Sequence, residues 1–169
     1  MTVINSGYLL NARPILDMRS QKVTGPGGTS YGLGEAGYDI RIKQDVSFKP
    51  NEFFRIIMDC KIDDVVERNT RFALASAIEE FMMPRNMMGI VHDKSTWARR
   101  GLSVFNTVIE PGWRGFLTLE LVYHGREALH IPAGAGIAQV VFHEVKMPTE
   151  YTGKYQNQAD KPVSAIDSE

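Results

Sequence analysis

The sequence Phe116-Leu117-Thr118-Leu119-Glu120-Leu121-Val122 contains the clearest strand signal in the chain. Its leucines occupy every second position, and the side chains of a β-strand alternate between the two faces of a sheet. The three leucines therefore predict one buried face, and Phe116, Thr118 and Glu120 are placed on the other. His124-Gly125-Arg126 follows and predicts a turn.

Similar short runs occur on both sides of this strand. Tyr38-Asp39-Ile40-Arg41-Ile42 alternates strictly and predicts a half-buried strand. Glycine or proline turns recur about every 8–12 residues, a spacing typical of sandwiches and barrels. Because the sequence shows no internal repeat and no alternation of strands with helices, we expect an all-β fold. Further apolar runs lie at residues 46–48, 53–57, 71–77, 103–106, 128–132 and 136–142.

The two ends of the sequence differ from this β-rich middle. Residues 1–18 mix apolar and polar positions and predict either a short helix or an arm lying on the body. Residues 19–37 are rich in glycine and predict a loop. Residues 147–169 are polar and are expected to order only against something else. We therefore expect one domain over residues 1–146 and a flexible tail over 147–169.

Composition and charge exclude several classes of protein. The chain has 169 residues, and 19 Lys and Arg against 20 Asp and Glu give a net charge of −1. This balance offers no basic surface for nucleic acid or an anionic membrane. No apolar run reaches the roughly 20 residues of a membrane span. The single cysteine, Cys60, excludes an intrachain disulfide and a multi-cysteine zinc site. We expect a cytoplasmic protein that binds neither nucleic acid nor membrane.

A candidate anion site lies in residues 93–101. This stretch predicts one or two helical turns, capped by Asp93 or Ser95. Ser95 and Arg99 are four residues apart and share a face. With Lys94 and the free amides of the turn, these side chains form a candidate phosphate cradle. Spacing alone favours the other interpretation, an ordinary surface turn with solvated charges.

Two carboxylates and one amide are further candidates. Glu120 lies between apolar neighbours in mid-strand, so it is a candidate general base if its face is buried. It is an ordinary solvated side chain if that face points outward. Glu110, at the far end of a predicted hairpin, is either a turn residue or a contact for a ligand hydroxyl or water. Asn106 either caps the turn or presents a donor and an acceptor to a heterocycle.

Several motifs resemble, in one order, those of the dCTP deaminase branch of the dUTPase superfamily. Lys94-Ser95-Thr96-Trp97-Ala98-Arg99-Arg100-Gly101-Leu102 is similar to Arg-Ser-Ser-Leu-Ala-Arg-x-Gly-Leu of that branch. Ile109-Glu110-Pro111-Gly112-Trp113, followed by Leu119-Glu120, resembles Ile-Asp-Pro-Gly-Trp and the later Leu-Glu. Ile137-Ala138-Gln139-Val140-Val141-Phe142 resembles Ile-Gly-Gln-Leu-x-Phe. Gly153-Lys154-Tyr155-Gln156-Asn157-Gln158 in the tail resembles Lys-Tyr-x-Asn-Gln.

This resemblance implies a fold, an assembly and an activity. The fold is a distorted β-barrel of jelly-roll type with short helical segments. The assembly is a homotrimer with three sites at the subunit boundaries. The activity is zinc-free deamination of dCTP to dUTP and ammonia, in pyrimidine deoxynucleotide metabolism. By the resemblance, Glu120 activates the attacking water, Arg99 supports the anionic intermediate or the phosphates, and Ser95 holds the water or the base.

The resemblance also implies how a deoxypyrimidine nucleoside triphosphate is bound. Lys94 and Thr96 bind the triphosphate, and Lys154 and Gln158 of the tail close over it, with Mg²⁺ accompanying the phosphates. Glu110 contacts the deoxyribose 3′-hydroxyl. The other residues expected at the substrate are Asn106, Thr107, Trp113 and Tyr151.

The sequence departs from the family pattern at this predicted site. Lys94 stands in place of arginine, so a bidentate phosphate clamp becomes a point charge. Trp97 replaces leucine, and Glu110 is one methylene longer than the aspartate of the family. The connection at residues 106–109 is about two residues shorter than in either branch. A wider base pocket that admits a modified pyrimidine is therefore a hypothesis.

Two other functions stay open at this point. The residue of dUTPases at the position of Glu110 is the aspartate that activates water for attack on phosphate. Hydrolysis of dUTP, alone or coupled to deamination to give dUMP and pyrophosphate, is the first alternative. Glu120 weakens a plain dUTPase, because that position is apolar in dUTPases. The short connection at residues 106–109 keeps a non-catalytic sensor of dCTP or dUTP as the second alternative.

Overall fold

This computed structural model describes residues 2–50, 56–61, 71–105 and 108–167. Short antiparallel strands dominate these residues and form one large sheet and two three-stranded sheets. Within the same ranges, neither helix has the length and apolar composition needed to cross a bilayer. The helices are α1 (Ser6–Ala12) and α2 (Ser95–Ala98), with a 3-10 turn at Pro26–Gly28. The strands are β1 (Val3–Ile4), β2 (Val23–Thr24), β3 (Ser30–Leu33), β4 (Tyr38–Arg41), β5 (Asp45–Pro50), β6 (Ile56–Lys61), β7 (Phe72–Met82), β8 (Met87–Asp93), β9 (Leu102–Val104), β10 (Val108–Ile109), β11 (Arg114–Tyr123), β12 (Leu129–Ile131) and β13 (Gly136–Glu144).

The large sheet is built around β13. Its strand order is β10-β8-β13-β4-β3-β2, and β1 also pairs with β13. Phe142 and His143 are adjacent in sequence and are both buried, in a part of β13 whose register with β8 is regular. Because adjacent side chains point to opposite faces, both faces of β13 are covered at this point. The apolar run at residues 136–142 thus becomes the central strand of the core.

The second sheet has the order β7-β11-β9, with β11 in its centre. Leu119 and Leu121 are fully buried, as their alternation predicts. Leu117 is only partly buried, because the register with β7 shifts between Phe116 and Thr118. The prediction that all three leucines share one buried face is therefore wrong for Leu117. A local irregularity of this kind bends the ladder and re-aims a side chain.

The register shift also carries β7 from one sheet towards another. Three residues of β7, Ala77, Ile78 and Glu79, lie opposite a single residue of β11. Ala77 forms a bridge with Ile42, directly after β4. The extra residues of β7 therefore join the second sheet to the edge of the large one.

A buried ion pair holds this junction. The Glu79 side chain is 3% exposed, and its Oε1 lies 2.8 Å from Nε of Arg41. The backbone amide of Arg41 donates to Oε2 of the same carboxylate at 2.8 Å. Burial raises the pKa of the Glu79 carboxyl above its ordinary value, and the hydrogen bonds and charge of Arg41 act against that rise. The guanidinium also lies 4.5 Å above the ring of Tyr31.

The third sheet, of order β12-β5-β6, packs against the second sheet through aromatic rings. Phe48 of β5 stacks on Tyr123 of β11 with 5.1 Å between the ring centroids. Both rings are buried. This stack makes the core continuous between the two smaller sheets.

The N-terminal third differs from its predictions in two places. The alternation at residues 38–42 predicts a half-buried strand, but Tyr38, Asp39 and Ile40 are all buried. Burial of Asp39 is tolerated because Lys94 supplies a cation 2.5 Å from its carboxylate. Residues 19–37 are predicted as loop, yet β2 and β3 form there by pairing with each other and with β4. Backbone pairing of this kind leaves no apolar pattern in the sequence.

The predicted features at residues 1–18 and 106–109 have different outcomes. Both forms considered for residues 1–18 occur, since α1 is a short helix and β1 lies on β13. The predicted hairpin before Glu110 is wrong, because β9 pairs with β11 whereas β10 pairs with β8. Asn106 and Thr107, between these strands, lie outside the described residues, as do residues 53–55 of the run at 53–57.

We expect Glu79→Ala to destabilise the fold strongly. The substitution leaves the Arg41 guanidinium and its backbone amide without their acceptor, and losing one member of a buried pair costs about 3 kcal/mol. Urea unfolding followed by tryptophan fluorescence measures the effect. Glu35→Ala is the matched control, because that carboxylate pairs with Lys22 on the surface. Equal midpoints for the wild type and both variants would show that the Glu79–Arg41 pair does not hold the junction.

Candidate active site

A cavity of about 530 Å³ opens beside β11, and we call it the β11 cavity. Its walls come from β7, β10 with the turn that follows it, β11, and residues 151–165. Most of the described lining is aromatic or aliphatic, and Glu110 and Glu120 are the carboxylates in that part of it. A mainly apolar cavity with a few polar groups is typical of a small-molecule site. The lining residues are Phe72, Leu74, Val108, Ile109, Glu110, Trp113, Leu117, Thr118, Glu120, Tyr151, Tyr155, Gln158, Val163 and Ala165.

The register of β11 places Glu120 in this cavity. Glu120 lies opposite Leu74 of β7, and its backbone carbonyl accepts the amide of Phe105 at 2.8 Å. Its side chain is half-buried. Across the described ranges, no hydrogen-bond donor or cation of the protein contacts its carboxylate. A carboxylate that is held by its strand and has no protein partner is well suited to accept a proton from a bound water.

Glu110 and Trp113 lie on the turn after β10. The Glu110 side chain is exposed at the cavity. Trp113 is 5% exposed and packs against Phe81, with 6.1 Å between the ring centroids. Its indole N–H donates to the carbonyl of Tyr155 at 2.6 Å. Trp113 therefore offers an apolar face to the cavity, while its polar atom fixes residues of the tail.

Gln158 lies on β11 itself. It forms a parallel bridge with Gly115, and its carbonyl accepts the amide of Phe116 at 3.1 Å. Its side-chain amide donates to the hydroxyl of Thr118 at 2.5 Å. This part of the tail is therefore joined to β11 by a single parallel bridge at the rim of the cavity.

Tyr151 and Lys154 have different surroundings. Tyr151 lines the cavity, and its hydroxyl accepts the backbone amide of Tyr155 at 3.3 Å. The Lys154 ammonium is exposed, lies 5.4 Å from the centre of the Tyr155 ring, and donates to the carbonyl of Ile166. Lys154 is thus near the cavity mouth but is not among its lining residues.

The second group of predicted site residues lies on α2. Trp97 is buried, and its indole N–H donates to the carbonyl of Gly136 at 2.8 Å, which fixes α2 to β13. Ser95 and Thr96 are exposed on this anchored turn. The larger side chain at the position of Trp97 therefore adds a hydrogen bond that a leucine lacks.

The start of α2 differs from its prediction. The N-cap residue is Lys94, and no side chain bonds to the cap, so the prediction of a cap by Asp93 or Ser95 is wrong. The Asp93 carboxylate instead accepts the backbone amide of Val104 at 2.7 Å. That bond ties the start of α2 to β9.

Lys94 takes part in a buried ion pair. Its Nζ lies 2.5 Å from Oδ2 of Asp39 and donates to the hydroxyl of Ser30 at 3.3 Å. Asp39 is 2% exposed. Moving the ammonium to a phosphate would leave this buried carboxylate with the more distant Nζ of Lys22, at 3.9 Å, as its counter-charge, which is costly. Lys94 therefore has a structural partner in the folded chain.

Arg99 lines a second cavity, of about 600 Å³, and the described residues that line it are all different from those of the β11 cavity. Arg100 and Arg126 line it as well, and the guanidinium of Arg100 lies 5.2 Å from the centre of the Trp97 ring. Three guanidinium groups around one opening favour an anion. Burial, with the charge of Glu127, raises the pKa of Tyr123 at the same cavity.

The predicted site residues therefore fall into two groups within one chain. The β11 cavity brings together Glu110, Trp113, Glu120, Tyr151 and Gln158. Outside it, on or beside α2, lie Lys94, Ser95, Thr96 and Arg99. Three predicted residues belong to neither group: Lys154 lies near the cavity mouth without lining it, and Asn106 and Thr107 lie outside the described residues.

The cavity also contains residues that the sequence does not single out. Thr118 lies on the same face of β11 as Glu120, so the alternation of residues 116–122 already predicts that the two side chains are neighbours. Leu74 follows only from the register of β7 against β11. Val163 and Ala165 reach the cavity because the tail folds back onto the body, which no local pattern predicts.

The sequence is similar to a known family and to named relatives. Residues 16–145 match the dCTP deaminase-like family. A protein of Protochlamydia amoebophila named dCTP deaminase is 37% identical over 161 residues, which cover 86% of this chain and 85% of that protein. A dCTP deaminase of Acidobacterium capsulatum is 34% identical over 154 residues, which cover 82% of this chain and 84% of the relative.

The fold is similar to that of solved dUTPases. The EIAV dUTPase superposes with a TM-score of 0.51 at 15% identity, over 85% of this chain and 92% of that one. A Staphylococcus bacteriophage 80alpha dUTPase superposes with a TM-score of 0.51 at 14% identity, over 90% of this chain and 95% of that one. At these identities the likeness concerns the fold alone, and it confirms the predicted all-β, dUTPase-like fold.

The family match and the relatives agree with each other over most of the sequence. The matched residues, 16–145, run from before β2 to the end of β13 and include both Glu120 and the α2 turn. The resemblance found in the sequence motifs is thereby confirmed. The chain belongs to the dCTP deaminase-like family.

Proposed function

We propose that this protein is a hydrolase that converts dCTP and water to dUTP and ammonia without zinc. One observation carries the proposal: the half-buried Glu120 carboxylate faces the β11 cavity with no partner among the described residues. Relatives at 34–37% identity that are named dCTP deaminase support the same substrate. A plain dUTPase does not need a carboxylate in mid-strand at this place.

The proposed reaction assigns a separate task to each group. Glu120 accepts a proton from water, and the water oxygen forms a bond to C4 of cytosine. The bond from C4 to the exocyclic nitrogen then breaks, the proton held by Glu120 leaves with ammonia, and the proton of the added hydroxyl passes to N3 as the C4 carbonyl forms. Arg99 stabilises the negative charge of the intermediate or the phosphates, and Ser95 holds the water or the base.

We propose that each site forms between two copies of the chain in a homotrimer. Glu120 lines one cavity and Arg99 lines another within the same chain. Ser95 and Thr96 are exposed on a turn that Trp97 anchors firmly, as expected for groups offered to a neighbouring copy. In a closed ring of three copies, the α2 turn of one copy meets the β11 cavity of the next.

The triphosphate is expected to lie between the α2 turn and the tail. Arg99, Ser95 and Thr96 would contact it from one side, and Lys154 and Gln158 from the other. Residues 147–169 thus act as a tail that closes over the active site. We assign Lys94 to holding Asp39 and not to direct phosphate binding, because its ammonium is already paired.

Mg²⁺ is proposed to arrive with the substrate. Within the described residues, no group of three His, Cys, Asp or Glu side chains is placed to hold a metal. This donor set fits an ion held mainly by the phosphates and water, which is the usual arrangement for Mg²⁺ with nucleotides. A deoxynucleotide-converting enzyme with a single cysteine is expected in the cytoplasm.

A coupled hydrolysis to dUMP and pyrophosphate is the second candidate function. The observation that favours it is the position of Glu110, whose exposed carboxylate lines the same cavity as Glu120. Two carboxylates at one cavity allow one to act at the base and the other on a water near the phosphates.

The products formed from dCTP distinguish these functions. We expect dUTP and one ammonia per dCTP, with added dUTP left intact, measured by ion-exchange chromatography and an ammonia assay in the presence of Mg²⁺. Formation of dUMP and pyrophosphate that is lost in Glu110→Gln would establish the coupled reaction instead. Tight binding of dCTP with no product from either substrate would identify a sensor.

Glu120→Gln is expected to abolish deamination while dCTP still binds. The amide cannot accept the proton of the attacking water, and loss of a general base lowers kcat by about 100-fold or more. Ammonia release and calorimetric binding of dCTP measure the two effects. Glu144→Gln, at an exposed position on β13, serves as the control and should retain full activity. Wild-type ammonia release by Glu120→Gln would contradict the assignment of the base.

Mixing two inactive variants tests whether the site is shared between subunits. Glu120→Gln and Arg99→Ala are each expected to be inactive alone. Random reassembly of equal amounts into trimers creates about one site in four with both native side chains. We therefore expect a mixture to recover about a quarter of the wild-type activity after unfolding and refolding. If the mixture stays inactive although wild type recovers, each site lies within one chain.

A further inference from the structure

The tail is docked on β11 by contacts that leave little room for variation. Gln158 bridges to Gly115, whose φ is +135°. A Cβ at that position would lie 2.5 Å from the backbone nitrogen of Gln158. Only glycine allows the two backbones to approach this closely. The tail therefore has a defined seat next to the cavity.

Thr118 holds the tail at this seat through its side chain. Its Oγ1 accepts the side-chain amide of Gln158 at 2.5 Å and the backbone amide of Val163 at 3.0 Å. A hydroxyl oxygen has two lone pairs, so it can accept both of these bonds at once. The two bonds lie on either side of Ala159–Pro162, and the hydroxyl thus closes that loop.

The position of Thr118 relative to Glu120 gives this contact its significance. The two residues are separated by one position on β11, and both line the cavity. The strand therefore sets the distance between the carboxylate and the anchor of the tail. Val163 and Ala165, which follow the anchor, form part of the cavity wall.

We propose that Thr118 is a positioning residue that holds Gln158 and the segment after it over the bound nucleotide. This inference rests on the proposed function, in which Gln158 contacts the phosphates. The side-chain amide of Gln158 has two hydrogens. One is donated to Thr118, and the other is left for a phosphate oxygen. The hydroxyl of Thr118 thus fixes the direction of the donor without touching the substrate.

Other contacts hold the tail beyond this point. Lys43 forms an ion pair of 2.5 Å with Asp160, and the backbone amide of Ile166 donates to the hydroxyl of Tyr155 at 3.1 Å. Loss of the Thr118 hydroxyl should therefore loosen the segment without releasing the whole tail. The expected effect is on nucleotide affinity and not on the fold.

Thr118→Val removes the acceptor and keeps the shape, whereas Thr118→Ser keeps the acceptor. We expect the KM for dCTP to rise about tenfold in Thr118→Val, with kcat within about twofold of wild type, because two hydrogen bonds that orient a binding group are lost. Thr118→Ser should restore a KM near the wild-type value. Thr24→Val, at an exposed threonine on β2, is the matched control and should leave both constants unchanged.

Hydrogen exchange of the nucleotide-free protein supplies a readout that does not depend on activity. The peptide covering residues 159–167 should exchange faster in Thr118→Val than in wild type, and at the wild-type rate in Thr118→Ser and Thr24→Val. If Thr118→Val fails to fold, Thr118→Ala removes the same acceptor and takes its place.

Two results would overturn the positioning role. One is unchanged exchange and unchanged KM in Thr118→Val. The other is a parallel loss of kcat and thermal stability that Thr118→Ser does not restore, which indicates a purely structural residue. If wild type releases no ammonia from dCTP, the proposed function fails, and the exchange comparison still decides whether Thr118 anchors the tail.

Discussion

The register of β11 against β7 is the constraint on which the candidate site depends. Leu119 and Leu121 are fully buried and pair with Ala75 and Ala73 of β7. Each buried leucine contributes about 2 kcal/mol, and a slip of one residue would expose both and bury Glu120 instead. The core side of the strand therefore fixes the position of the carboxylate on its other side, at no cost to the packing.

The strands were the part of the fold that local patterns could predict. Alternation and turn residues locate β4, β11 and β13 in the sequence, and they correctly indicate an all-β fold. Patterns fail where a distant partner decides the outcome. Asp39 is buried because Lys94, 55 residues away in sequence, neutralises it. β2 and β3 form because β4 offers an edge, and the predicted hairpin before Glu110 is absent because its strands join different sheets.

In the candidate site, too, local patterns predict some features, and distant contacts decide the others. The alternation of side chains along β11 could predict on which face Glu120 lies and that Thr118 lies on the same face. The separation of Glu120 from Arg99 could not, because it depends on how α2 is fastened to β13 and how the tail returns to β11. Lys94 shows most clearly how a position in a motif differs from a position in the folded chain. Its place in the motif suggests phosphate binding, whereas its contacts show a buried pair with Asp39.

The positions of the two tryptophans of the chain determine what its intrinsic fluorescence can report. Trp97 is the buried residue of α2, and its indole N–H donates to the carbonyl of Gly136. Trp113 lies beneath the tail, and its indole N–H donates to the carbonyl of Tyr155. Each half of the proposed site thus contains one intrinsic fluorophore. With one indole replaced by phenylalanine, the remaining emission would report on a single half, so that events at the tail and at the proposed subunit boundary acquire separate optical signals.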